Sequence, residues 1–128
     1  MKIASTISRL LLGLVFLVFG LNGFLQFIHL PPPPAMGGQF FGLLFASKYY
    51  VVIFALQIIA GVLLLVNRFV PLALTLITPV IVNIILFHLC LAPSGIPLAT
   101  VVLLLELFLA WSYRGAFRSV LAFNAKPG

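Results

Sequence analysis

Four long apolar runs, over about 7–28, 49–66, 70–91 and 98–113, decide what this chain can become. At about 1.5 Å of rise per residue, roughly 20 apolar residues cross a hydrocarbon layer about 30 Å thick, so each run has close to the length of a membrane-crossing helix. The breaks between the runs are chemically distinct. Pro31 to Pro34 offer no backbone donors and stop the first run. Asn67-Arg68-Phe69 makes a tight polar turn, and Ala92-Pro93-Ser94-Gly95-Ile96-Pro97 makes another.

Composition agrees with a lipid solvent. The chain has 128 residues, 64% hydrophobic and 6% charged, too few polar groups to cover a water-soluble surface. The fold class expected is all-α: an integral membrane four-helix bundle forming a single transmembrane domain over residues 1–128. A short interfacial segment, Ala35 to Ser47, lies between helices 1 and 2, its phenylalanines at headgroup level. The start, Lys2 to Arg9 before an apolar run, resembles a secretory signal. Leu10 to Leu25 is longer than a usual signal core and no small-x-small cleavage site follows, so it reads as a first span.

Charge supplies the orientation. Seven Lys and Arg stand against one acid, for a formal net charge of +6. In a soluble protein that balance would point to nucleic acid. Here Lys2, Arg9, Arg68, Arg114, Arg118 and Lys126 all fall on one side of a four-span arrangement and Lys48 alone on the other. Basic flanks are retained in the cytoplasm, so both termini are expected there, with residues 114–128 forming a basic cytoplasmic tail, and no nucleic-acid partner is expected. Ala116 to Phe123 is either a weakly amphipathic helix on the inner leaflet or a disordered tail. One cysteine, Cys90, excludes an intramolecular disulfide. Pro79 interrupts the third run and should kink it, with the Thr75 or Thr78 hydroxyl softening the loss of a backbone bond.

Polar side chains inside spans are costly and usually face a bundle interior. Asn22, Gln57, Asn83 and Glu106 each lie seven or eight residues inside the outer end of their span, which places them in one layer roughly 12 Å below the outer boundary. By helical phase, Gln26 and His29 share the stripe of Asn22, Tyr50 stands above Gln57, and Cys90 shares the face of Asn83, whereas Gly13 and Gly20 line the side of the first helix opposite Asn22. The expectation is a polar pocket in the outer half of the bundle. Two readings of it stand: interhelical hydrogen-bond glue, worth about 0.6–2 kcal/mol per pair, or a ligand site. Glu106 favours the second, since a lone carboxylate with no Lys or Arg at its depth either carries a proton or faces water or a ligand. His29 and His88 raise haem, but His88 is rotated away from the Asn83 face, so haem is disfavoured, and no metal site or other cofactor motif is evident.

The segment Arg9-Leu10-Leu11-Leu12-Gly13-Leu14-Val15-Phe16-Leu17-Val18-Phe19-Gly20-Leu21-Asn22-Gly23-Phe24 resembles the first-helix signature of the DoxX family, small four-helix bacterial membrane proteins. Gly61 to Leu65, Arg68 to Leu74, Pro79 to Ile84 and Phe87-His88-Leu89 with Ala92 to Gly95 extend the resemblance to about residues 9–118. It implies a multi-pass protein of the bacterial inner membrane, redox-associated in some members, whose outer-half pocket would take a quinone or other small amphipathic ligand. Glu106 would donate or accept the proton, while Asn22, Gln26, His29, Tyr50, Gln57 and Asn83 bind the ligand. This chain has Gln57 where the family often has Glu, which leaves Glu106 as its sole acid. The alternative is a noncatalytic accessory or assembly subunit of a larger membrane complex, such as an oxidoreductase. A small transporter or lipid-binding protein ranks lower.

Overall fold

A computed structural model of the chain describes residues 2–28 and 35–128, and these residues are all-helical with no strands. Five α-helices follow in order: α1 (Lys2–Leu25), α2 (Ala35–Ala46), α3 (Tyr49–Leu65), α4 (Val70–Cys90) and α5 (Ile96–Ser112). Their limits track the breaks expected above. The turn between α3 and α4 is made by Asn67 and Phe69, both with left-handed backbones at φ 58° and 53°, and Pro71 follows in the first turn of α4, where its missing donor is harmless. Pro97 occupies the equivalent place in α5, after a short 3₁₀ turn at Pro93–Gly95.

α1 packs on α3 and α5, and α4 packs on the same two helices, so the four long helices form a square with α1 opposite α4 and α3 opposite α5. The middle of the square is apolar, with Leu12, Phe16, Leu64, Leu74, Ile77, Ile81 and Leu109 almost wholly enclosed. The outside is apolar too. Leu11, Leu14, Val82, Leu86, Leu104 and Leu107 are exposed, a surface suited to hydrocarbon rather than water. α1, α4 and the stretch Pro93–Ser112 are each long and apolar enough to cross a membrane, and a fourth crossing arises if α2 and α3 count as one broken span.

α2 and α3 meet at 88° through Ser47 and Lys48, the latter with φ 66°. With α3 along the bundle, α2 therefore lies across its end. Aromatic rings fix it there: Phe45 stacks on Tyr50 of α3 with centroids 4.8 Å apart, and Phe41 meets Phe87 of α4 edge-on at 5.0 Å. The interfacial segment read from sequence is thus a 12-residue helix capping one end of the square. At the opposite end, which we call the basic end, the start of α1, the α3–α4 turn and the finish of α5 come together, bringing Lys2, Arg9, Asn67 and Arg114 to one place.

α1 stops three residues before the expected limit of residue 28. Gln26 turns left-handed at φ 51° and its N–H bonds the Asn22 carbonyl at 2.9 Å, a common way of closing a helix. The tail holds a 3₁₀ turn at Arg114–Phe117 followed by irregular backbone, so the amphipathic α-helix considered for Ala116 to Phe123 does not form. α4 runs unbroken through Pro79. Beside it the Thr75 and Thr78 hydroxyls donate to the Pro71 and Leu74 carbonyls at 2.9 and 2.7 Å.

Candidate functional site

The four-residue layer expected from depth alone is only partly assembled. Gln57 and Glu106 are buried, each 6% exposed, and they project from α3 and α5, the helices that face each other across the square. Asn22 and Asn83 are elsewhere. The Asn22 carboxamide turns back on its own chain, accepting the Ile28 N–H at 2.7 Å and donating to the Ile28 carbonyl at 3.3 Å, so it serves as a cap for the end of α1. Asn83 is exposed on the outward side of α4, where its amide donates to the Pro79 carbonyl one turn earlier, at 3.0 Å. The reason is rotation: depth along a helix is the same for every face, and Ile77, Val80 and Ile81 are the α4 residues turned toward the core.

The remaining expected residues also separate. Gln26 is exposed in the turn that ends α1, and Cys90 is exposed at the end of α4. His29 lies outside the described residues. Tyr50 sits in an aromatic cluster with Phe24, Phe45 and Phe54, and the Phe54 ring fills the groove that Gly23 leaves in α1. Aromatic mass therefore occupies the α2 end of the bundle, the end toward which the sequence placed a polar pocket. His88 packs its ring on Gly95 and its Nδ1 lies 3.0 Å from the Ala92 carbonyl, which ties the end of α4 to the following turn. Among the described residues, no three of His, Cys, Asp or Glu converge.

What the structure does build is a carboxyl–hydroxyl pair. Glu106 Oε1 and Thr78 Oγ1 are hydrogen-bonded across the α4–α5 contact. Along α5, Glu106 lies about 15 Å from the Ile96 end and about 9 Å from the basic end, near mid-bundle. Thr78 has one hydroxyl proton and two acceptors in reach, Glu106 Oε1 and the Leu74 carbonyl. A carboxylate accepts a hydrogen bond from that hydroxyl. A carboxylic acid instead donates to Thr78, which then donates to Leu74. The pair satisfies Glu106 in either state, without help from an amide. Thr78 was legible only as a residue softening Pro79.

A second polar assembly, at the basic end, was not anticipated at all. Arg9, 9% exposed, sends its guanidinium to the Leu64 carbonyl and, at 3.4 Å, to the Leu65 carbonyl, which belong to the last turn of α3. Those carbonyls have no partners within their helix, and a cation there also complements the helix dipole. Beside it Ser5 donates to the Ser112 hydroxyl at 3.0 Å, linking α1 to α5, and the Ser112 hydroxyl donates to the Phe108 carbonyl at 3.0 Å. Arg114 lies over the Trp111 ring, 4.4 Å from its centroid, and donates to the Trp111 carbonyl at 2.9 Å. The chain matches no protein-family model, no curated protein and no solved structure.

Proposed function

We propose that this chain is a noncatalytic accessory subunit of a larger membrane complex, docking through the outward face of α4. The observation that supports the reading is Asn83. It stands in the interior of α4, about 10 Å from the Cys90 end and about 20 Å from the Val70 end, on an exposed face shared with Leu72, Pro79, Leu86 and Cys90. An amide that looks outward at that depth meets hydrocarbon, and its carboxamide oxygen has no donor among the described residues. A helix from another subunit would supply one, and amides exchanged between membrane helices contribute about 0.6–2 kcal/mol to association. The gathering of basic flanks at one end supports a cytoplasmic placement of both termini, and the likeness of Arg9 to Phe24 to the DoxX first helix supports a bacterial inner membrane.

Asn83→Leu is the test. Extracted in mild detergent, the wild-type chain is expected to run in a complex larger than a monomer, and the variant is expected to dissociate at a detergent concentration several-fold lower while its helix content is unchanged. A wild-type chain that runs as a monomer and cross-links to nothing in membranes would remove this reading.

A second reading, a redox-associated protein with a quinone or similar amphipathic ligand, is favoured by Gln57 and Glu106. Both are buried on facing helices. Glu106→Gln keeps the shape and removes the transferable proton. On this reading the variant loses quinone-dependent turnover by about tenfold or more in membranes from a strain lacking the wild-type chain. Unchanged turnover would leave Glu106 as a hydrogen-bonding group for Thr78 and nothing more.

A further inference from the structure

The basic end carries an open pocket of about 510 Å³, a size within the roughly 300–1,000 Å³ of small-molecule sites. Three cations line it: Lys2 and Arg9 from α1 and Arg114 just beyond α5. Hydroxyls from Ser5, Ser112 and Tyr113 lie among them. No acid is present in the wall, and none is available from elsewhere, because Glu106 is the only Asp or Glu in the chain and bonds Thr78 within the bundle. Three like charges held around one hollow repel each other unless an anion enters. Two of them are also fixed in place, Arg9 on the last carbonyls of α3 and Arg114 over the Trp111 ring, so little ordering is left for a ligand to impose.

We propose that this cavity binds a phosphate-bearing anion. Guanidinium and ammonium groups supply charge and the Tyr113 hydroxyl a neutral donor, a combination that recognises phosphoryl oxygens. The site joins the start of α1, the α3–α4 turn and the end of α5, which is where a membrane-crossing bundle meets the headgroups. Two sources offer the same chemistry at that level: the headgroup of an anionic phospholipid, and a phosphate dissolved in the adjoining water.

Trp111 lines the cavity and is the only tryptophan in the chain, so intrinsic emission reports on this site alone. The full-length protein is titrated in two arms. One uses inorganic phosphate in neutral maltoside detergent, and the other uses phosphatidylcholine nanodiscs with rising phosphatidylglycerol. Saturable change in the nanodisc arm only assigns the lipid headgroup, and saturable change with inorganic phosphate assigns the soluble source.

Either result must be lost with the cavity charges. Lys2→Gln with Arg114→Gln, both at exposed positions, is expected to raise the midpoint about tenfold. Arg118→Gln with Lys126→Gln removes the same charge outside the cavity and should leave it within about twofold. Midpoints rather than amplitudes are compared, since Arg114 touches the fluorophore, and retention of phosphatidylglycerol or phosphate by native mass spectrometry gives a second measure. The proposal fails if neither probe saturates, or if the two double variants weaken binding equally.

Discussion

Replacing Gly61 by alanine is expected to destabilise the bundle by about 2 kcal/mol, and replacing it by valine by more. A methyl group built on Gly61 lies 2.6 Å from the Leu17 backbone nitrogen, 2.9 Å from the Gly13 carbonyl oxygen and 3.0 Å from the Leu17 Cα. All three are main-chain atoms of α1, so no rotamer change relieves the contact and the helices themselves must part. Gly13 makes the reciprocal approach, since a methyl on it would meet the Gly61 carbonyl at 3.1 Å. The two glycines let α1 and α3 touch backbone to backbone, the way membrane helices gain van der Waals contact when lipid gives them no hydrophobic incentive to associate. Overpacking of this kind costs about 1–3 kcal/mol or more, against about 1 kcal/mol gained from better helix propensity. Gly42→Ala is the matched control: it sits in the interior of α2 with nothing within 4 Å of the added carbon. That variant should be neutral or slightly more stable. Unfolding in graded dodecyl sulfate in mixed micelles measures both, and equal stability of the two variants would show that the α1–α3 approach does not limit stability.

These glycines also show how far the sequence could be read. The helices themselves were legible because their ends are written in residues with few conformational options: Asn67 and Phe69 around a left-handed turn, Pro71 and Pro97 in first turns, Pro93 in the final loop. Which face of each helix turns inward was much harder to read. In water an apolar stripe marks the buried face, but these helices are apolar all round, and Leu86 outside is chemically like Leu74 inside. Depth sets Asn83 and Asn22 in a layer with Gln57 and Glu106, and phase relates residues within one helix without saying which face turns inward. The better guide was the small residues. Gly13, Gly20 and Gly23 lie against α3, and a stripe of glycine in an apolar helix marks the close contact whatever its polar residues do. The Thr78–Glu106 pair eluded the sequence for a different reason. Threonine in a helix usually bonds its own backbone, as Thr75 and Thr100 do here, and nothing in spacing distinguishes the one that also reaches across.

Arg9 was read as a topological flank, one positive charge among six, yet its burial gives the other large effect we expect. Arg9→Ala should destabilise the bundle by roughly 2–4 kcal/mol, because it removes a charge-assisted hydrogen bond and leaves the Leu64 carbonyl only the long contact from the Asn67 N–H at 3.4 Å. Three substitutions separate the contributions. Methionine keeps most of the apolar stem and loses the donor and the charge, so the gap between Arg9→Met and Arg9→Ala reports packing. Lysine keeps a positive charge at the end of α3 but offers a compact ammonium in place of a planar fork. It should recover the dipole interaction and only part of the two-carbonyl contact. The expected order of stability is arginine, lysine, methionine, alanine, measured in the same mixed micelles. If methionine equals lysine, the guanidinium acts by filling space and the helix-end clamp is not a source of stability. If lysine equals arginine, charge alone holds α1 to α3. In either case the phosphate site above is unaffected as a question, since it is tested through Lys2 and Arg114 with Arg9 left in place.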